Sequence, residues 1–531
     1  MLIAPNLNFW YVLFLHGFLV RRIIINIHKF LGINYSASIA DLSRLPTRLQ
    51  TRWHPSVIGA ELSKKIDEVG PIALQLPFIN PISSNLISSN LISSNPVKQL
   101  DQNEECLNLN IFSPGIDKNL PVMVWIHGGG FQGGSGSLTE YEGTKLASSS
   151  NVVVVSINYR LGSLGFLRLC DISHGVIPST GNEGLGDQIT ALKWIQNNIH
   201  HFGGDKNNIT LFGESAGAMS IACLLACATA NRLFHKAILQ SGAGHTYSSI
   251  EKANKVATEF VNSANQLGFT LKQFPSLTST ELLKIQSHFL ARPEVFQQFG
   301  ILPFTPVIEN QLLPLPPHEA IAQGSAKDIV IIAGTNTDEW TFFATLLQQN
   351  ISTKAALHGA LSLLIEAEDI NKCLIQIDQQ LINRSRPNSY QNQLSEMYCE
   401  FWFTQPCHRL LSSQIKAGGR AYRYQLGRRS PIEKFGCTHT ADIGYVFGTT
   451  DQHFHGQTPR VVQLINEIQS SWAAFAHNGS PATLDNPWPS YAEGFCVMLF
   501  DHEHSHLTGH KSFPESIDFW SRVSDQKLAS F

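Results

Sequence analysis

The chain has 531 residues, of which 43% are hydrophobic and 15% charged, and its formal net charge is -3. That composition supplies a sizeable core, and the absence of a basic stripe argues against a nucleic-acid partner. Nine cysteines are present without a CxxC or a paired Cys/His metal spacing, and an odd number leaves at least one unpaired. Reduced thiols acting as small core residues account for them, Cys223 and Cys227 standing one helical turn apart.

In chain order, residues 9–20 form an apolar run broken by His16 and Gly17 and followed by Arg21 and Arg22. The run is short for a bilayer span and lacks the basic start and small-residue cleavage site of a signal peptide. It reads as early strand, together with Ile23, Ile24, Ile25, Asn26 and Ile27, and no other segment reads as transmembrane. Residues 82–95, ISSNLISSNLISSN, repeat a five-residue unit too short and too few for a solenoid, and are expected to form a surface loop. Beyond them, short β-rich runs recur at 121–126, 151–159, 208–212, 236–242 and 328–334. Helical patterns lie between several of these; over 187–199, Ile189, Leu192, Ile195 and Ile199 share one face. The alternation predicts an α/β fold, a mostly parallel sheet with helices on both faces. Nothing resembles an interdomain linker, so one domain over 1–531 is expected.

The stretch TLFGESAGAMS, residues 210–220, places Ser215 between Gly213 and Gly217. The run 209–212 reads as a strand and 216–226 as a helix, which is the context of a G-x-S-x-G nucleophile elbow, the strained turn of α/β-hydrolases. A serine hydroxyl needs a base, an acid to orient that base and donors for the oxyanion. In this fold the chain order is Ser, then Asp or Glu, then His. Upstream, WIHGGGFQGG (125–134) ends a strand in three glycines, the pattern of an oxyanion loop whose bare N–H groups approach developing negative charge.

These motifs, with FLGINYS (30–36), NEECLNLNIF (103–112), GNEGLGDQ (181–188), FGGDKNNITLFGESAGA (202–218), LFHKAILQSG (233–242), GTNTDEW (334–340), HTADIGYVFG (439–448), WAAFAHNGSP (472–481) and WPSY (488–491), run nearly end to end. Their combination resembles the type-B carboxylesterases, the family that also holds the cholinesterases and several lipases. The resemblance implies an α/β-hydrolase fold and a Ser-His-Glu triad of Ser215, His439 and Glu339. It implies oxyanion donors on Gly129, Gly130 and Ala216, and a supporting role for Ser241 beside Glu339. Glu339 also lies just past a strand end, where α/β sheets put their sites, but pattern alone does not separate it from Asp338. Trp340 stands where the family usually has Gly, and Asp442 where its histidine motif has Glu.

The implied chemistry is two-step acyl transfer on a small-molecule ester with water as the second acceptor. No metal or cofactor is implied, and a solvated loop accounts for the His-rich DHEHSHLTGH (501–510). Gly300, Leu302 and Phe304 occupy the acyl-pocket stretch where acetyl-specialised members place bulky aromatics, which implies room for longer acids. A lipase acting on longer acyl chains and a non-catalytic binding domain are the rival readings; the intact triad argues against the latter.

The resemblance also marks departures. Cys106 matches a family disulfide cysteine, yet no cysteine precedes it and Ala73 stands at the matching place. No cysteine lies between Cys227 and Cys373, where secreted members close a second loop. The missing staples point to a reducing compartment, with cytoplasmic localisation expected over secretion. The loop that carries the choline-binding tryptophan in cholinesterases has no Trp between Trp53 and Trp125, which argues against that subgroup.

Overall fold

A computed structural model describes residues 27–37, 52–59, 68–77, 100–508, 520 and 523–524. The apolar run 9–20, the residues from Ile23 to Asn26 and the ISSNL repeat lie outside the described residues. Among the described residues ten strands form one sheet: β1 (His28–Asn34), β2 (Asn108–Ser113), β3 (Leu120–Ile126), β4 (Val153–Ile157), β5 (Gly204–Glu214), β6 (Lys236–Gln240), β7 (Val330–Asn336), β8 (Ala421–Leu426), β9 (Val497–Phe500) and β10 (His506–Thr508). Their order is β1-β2-β4-β3-β5-β6-β7-β8-β9-β10. The run from β4 through β9 is parallel, while β1, β2 and β10 add antiparallel edges. The expected runs at 121–126, 151–159, 208–212, 236–242 and 328–334 fall on β3 to β7.

The helices that cover this sheet include α1 (Glu183–Asn198), α2 (Ala216–Ala226), α3 (Ile250–Gln266), α4 (Ser279–Leu290), α5 (Pro293–Phe299), α6 (Trp340–Leu346), α7 (Ala367–Asn383), α8 (Tyr390–Cys399), α9 (Gln405–Lys416), α10 (Ile443–Phe447) and α11 (Pro459–Asn478). Successive residues of a strand face opposite sides, so covering both faces demands apolar residues at every position. On β3, Val122, Val124 and Ile126 enter a core shared with α1, α2, α3 and α4. Met123 and Trp125 enter the opposite core, shared with α10 and α11. A third cluster, from Trp340 through Phe403, packs α6, α7 and α8 together and includes Leu302.

The expected helix over 187–199 begins earlier, at Glu183. The Glu183 carboxylate accepts the N–H groups of Thr180 at 2.6 Å and Gly181 at 3.1 Å, which fixes that start. One turn on, buried Asp187 takes a two-point contact from Arg160, with Nη2 to Oδ1 at 2.6 Å and Nε to Oδ2 at 2.7 Å. Breaking such a buried pair by removing one partner costs about 3–5 kcal/mol, so α1 is pinned to the segment following β4.

Two features of this sheet place the site. After β3 the chain moves to β4 on one side and then to β5 on the other, a topological switch at the carboxyl end of β3. In addition, the registers Ile126↔Gly213, Glu214↔Gln240, Gln240↔Gly334 and Gly334↔Tyr424 bring the carboxyl ends of β3, β5, β6, β7 and β8 to one level.

Candidate active site

Ser215 follows β5 and precedes α2, with φ 54° and ψ -124°. A non-glycine residue at positive φ is strained and persists only where its surroundings hold it. Here its N–H donates to the Gln240 carbonyl at 2.9 Å, and its carbonyl accepts the Met219 N–H at 2.9 Å. Gly217 is required by close approach: a Cβ there would stand 1.9 Å from the Ile126 carbonyl oxygen. Ser215 is half-buried while its neighbours Glu214 and Ala216 are buried.

Because Ile126 is paired with Gly213, the chain leaving β3 passes directly beside this elbow. Gly129 has φ 107°, and a Cβ on it would lie 2.2 Å from the Gly133 carbonyl oxygen, so only glycine fits. The turn is closed by the Gln132 and Gly133 N–H groups, both donating to the Gly129 carbonyl at 3.0 Å. Ala216 opens α2, where the first N–H groups have no intrahelical acceptor and the helix dipole favours negative charge. The loop meets the elbow at Gly128, where a Cβ would stand 3.1 Å from the Ser215 Cβ, and Gly129 and Gly130 follow it directly.

Glu339 and His439 come from the turns after β7 and β8. The Glu339 carboxylate takes His439 Nδ1 on Oε2 at 2.7 Å. Its Oε1 accepts the Ser241 hydroxyl at 2.6 Å and the Asn336 N–H at 2.7 Å. The neighbouring carboxylate points elsewhere: Asp338 Oδ1 is 2.5 Å from Arg386 Nη1, and Oδ2 accepts the Cys437 N–H at 2.8 Å. Geometry thus separates the two acids that pattern left open. The other edge of the imidazole, Nε2, faces Glu214 Oε1 at 3.1 Å. Among the described residues no hydrogen bond joins it to the Ser215 hydroxyl; such contacts commonly tighten only with substrate bound.

The imidazole sits among buried acids. Burial pulls it down, but the carboxylates of Glu214, Glu339 and Asp442 outweigh burial and hold it up at about 9. Burial pushes the Glu214 carboxyl up to about 8, opposed by His439 and reinforced by Asp442 and Glu339. Glu214 and His439 therefore titrate as a coupled pair. Asp442 is held by the Gln240 amide and the Tyr424 hydroxyl, each donating to Oδ2 at 2.8 Å.

Sequence reading did not single out Glu214 or the rings around His439. Phe342, Phe343 and Phe403 lie 5.6, 5.1 and 5.2 Å from the imidazole, centroid to centroid. The adjacent phenylalanines one turn past Glu339 were a readable signal. Phe403 was not, because a π-helical turn at Glu400–Thr404 between α8 and α9 sets its direction. Of the expected acyl-pocket residues, Leu302 meets the oxyanion loop, its Cδ2 lying 2.9 Å from where a Gly130 Cβ would be. Gly300 ends α5 with φ 74°. The Phe304 ring is buried against Phe260 and Phe289, at 6.2 and 5.6 Å.

Among the described residues no group of three or more His, Cys, Asp or Glu is gathered for a metal ion. His502 of the His-rich stretch contacts Arg428. Cys106 and Ala73 are both buried in the same core. No helix among the described residues is long and apolar enough to cross a membrane.

Comparison with known proteins gives the family. Residues 24–520 match the family model described as Carboxylesterase family. The chain is 37% identical over 401 residues to the para-nitrobenzyl esterase of Bacillus subtilis (strain 168), covering 74% of this chain and 78% of that protein. It is 31% identical over 418 residues to the acetylcholinesterase of Bungarus fasciatus, covering 73% and 67%. Among solved structures, a thermophilic PNB esterase superposes with a TM-score of 0.75 at 31% identity, covering 94% of this chain and 96% of the other. A Geobacillus stearothermophilus carboxylesterase superposes with a TM-score of 0.73 at 28% identity, covering 93% and 96%. The chain belongs to the carboxylesterase family, carboxylic ester hydrolases built on the α/β-hydrolase fold.

Proposed function

We propose that the chain is a serine carboxylic-ester hydrolase working through an acyl-enzyme on small to medium esters. The observation that carries the reading is the convergence of the strained Ser215 turn and the His439–Glu339 contact on one level of the sheet. Ser215 attacks the ester carbonyl while His439 Nε2 takes its proton. Glu339 holds the proton on Nδ1 and stabilises the imidazolium that forms. The N–H groups of Gly129, Gly130 and Ala216 receive the oxyanion, helped by the amino end of α2. The alcohol leaves with the proton from His439, and water, activated by the same imidazole, releases the acid and frees Ser215.

Leu302, Phe342, Phe343 and Phe403 give the surroundings of the reacting groups an apolar character suited to an acyl chain rather than a charged group. Gly300 and Leu302, in place of bulky aromatics, leave room for acids longer than acetate. The test is hydrolysis of p-nitrophenyl esters from acetate to palmitate, with Ser215→Ala alongside and fluorophosphonate labelling of the folded protein. Turnover peaking at butyrate or hexanoate and absent in the variant is the expected result. A rate that rises only with long chains above their solubility limit would make the protein a lipase. Folded protein that neither turns over nor labels would make it a binding domain.

A further inference from the structure

Asp338 is buried, adjacent to Glu339, and bonded in a way that spans both turns of the acid–base pair. Its backbone N–H donates to the Cys437 carbonyl at 2.9 Å, and its carboxylate Oδ2 receives the Cys437 N–H at 2.8 Å. One side chain and its own backbone thus close a two-way bridge onto the residue two before His439. The bridge has flanking rungs. Asn336 Nδ2 donates to the Thr438 carbonyl at 2.9 Å, and the Thr341 hydroxyl lies 2.6 Å from the Phe435 carbonyl and 2.7 Å from the Thr438 hydroxyl. A third segment locks the bridge from behind. Arg386 Nη1 pairs with Asp338 Oδ1 at 2.5 Å, its Nη2 donates to Asn392 Oδ1 at 3.1 Å, and Arg384 Nη1 donates to the Thr337 carbonyl at 3.1 Å.

Among the described residues, the hydrogen bond of Glu339 to the histidine turn is the one to the imidazole. The spacing of its carboxylate from Nδ1 therefore depends on how the two turns are registered, and that register is set by the bridge. We propose that Asp338, fixed by Arg386, is a positioning residue that sets the Glu339–His439 contact. The proposal rests on the reading of Ser215, His439 and Glu339 as the reacting groups. A pair of turns free to slide by about 1 Å loses near-attack geometry, at a cost of ~100-fold in rate.

The experiment compares Asp338→Ala, Asp338→Asn and the double variant Asp338→Asn/Arg386→Gln on p-nitrophenyl butyrate. It is read as kcat and KM separately, together with the strongly deshielded Nδ1–H proton resonance of His439. Asp338→Ala is expected to lower kcat ~100-fold with KM unchanged, and to shift or broaden that resonance. Asp338→Asn keeps the volume and an acceptor for Cys437 but loses the ion pair, and should fall about tenfold. The neutral Asn/Gln pair should restore most of that loss and the parental resonance; a mere contribution to stability would lower the denaturant midpoint and leave kcat of the folded protein and the resonance unmoved. If Asp338→Ala does not fold, the isosteric Asn variant and its rescue decide. Parental kcat and an unmoved resonance in the Asn variant overturn the proposal. Parental kcat in Glu339→Gln would instead sink the triad reading; loss in Glu339→Gln with parental turnover in both Asp338 variants overturns this proposal alone.

Discussion

On the Ser215 side of the cleft the restraints are backbone against backbone. Gly217 lies so close to the Ile126 carbonyl that a single methyl would collide at 1.9 Å, Gly129 needs φ 107°, and Ser215 is held by the carbonyl of Gln240. On the Glu339–His439 side the restraints are side chains reaching across long loops: Ser241 to Glu339, Asp338 to Cys437, Thr341 to Thr438, Arg386 to Asp338. The first half is rigid because strands and helix leave no room. The second is held by buried polar side chains that bond one another across the two turns, where the loss of a partner is costly. The nucleophile half therefore tolerates almost no added volume, and the acid–base half almost no lost hydrogen bond.

That contrast can be broken from either side. The largest effect belongs to Ser215→Ala, which should lower kcat for p-nitrophenyl butyrate by about a millionfold while the fold persists, since removing the hydroxyl relieves rather than adds crowding. Glu339→Gln keeps the shape but loses the charge that stabilises the imidazolium, and kcat should drop ~10⁴-fold; a drop below tenfold would mean another group supports His439. Gly217→Ala should cost about 3 kcal/mol or more by overpacking, read as a lower denaturant midpoint. An unchanged midpoint would show that the elbow is less tightly held than the 1.9 Å approach requires.

The smallest effect sharpens the electrostatics. His439 must be neutral to accept a proton, and the Glu214 carboxylate, second only to burial among the influences on it, favours its charged form. Glu214→Gln removes that pull, so the imidazole loses its proton at lower pH. The acid limb of the kcat/KM profile should move down by about one pH unit. A limb that moves up, or stays, contradicts the coupling of the two groups.

Much of the nucleophile half was legible because its determinants are local. A strand, a Gly-Glu-Ser-Ala-Gly turn and a small-residue helix occupy consecutive positions, and β5 and α2 fall where that pattern puts them. The glycine loop was equally readable, since backbone that must approach a neighbour or adopt positive φ selects glycine directly. The parallel centre of the sheet followed from apolar runs such as VVVVSI. Strand β8 did not, because Tyr-Arg-Tyr-Gln carries no apolar signal; Arg423 is buried there with the Tyr491 hydroxyl 3.2 Å from its Nη1. Resemblance, not periodicity, picked His439 from 21 histidines and Glu339 from the Asp338–Glu339 pair.

What the sequence determined by itself was the alternation of strand and helix, the strained serine turn and the glycine loop, all properties of neighbours within a dozen residues. Only the tertiary structure decided what Asp338 bonds instead of His439, how the rings of Phe342, Phe343 and Phe403 come to surround the imidazole, and that Glu214 stands at its other edge. Those relations lie outside any local pattern; Glu339 and His439 alone are 100 positions apart. They exist only because the parallel registers bring β5, β6, β7 and β8 to one level, and a carboxylate's role is set by the partner it meets there, which no local pattern encodes.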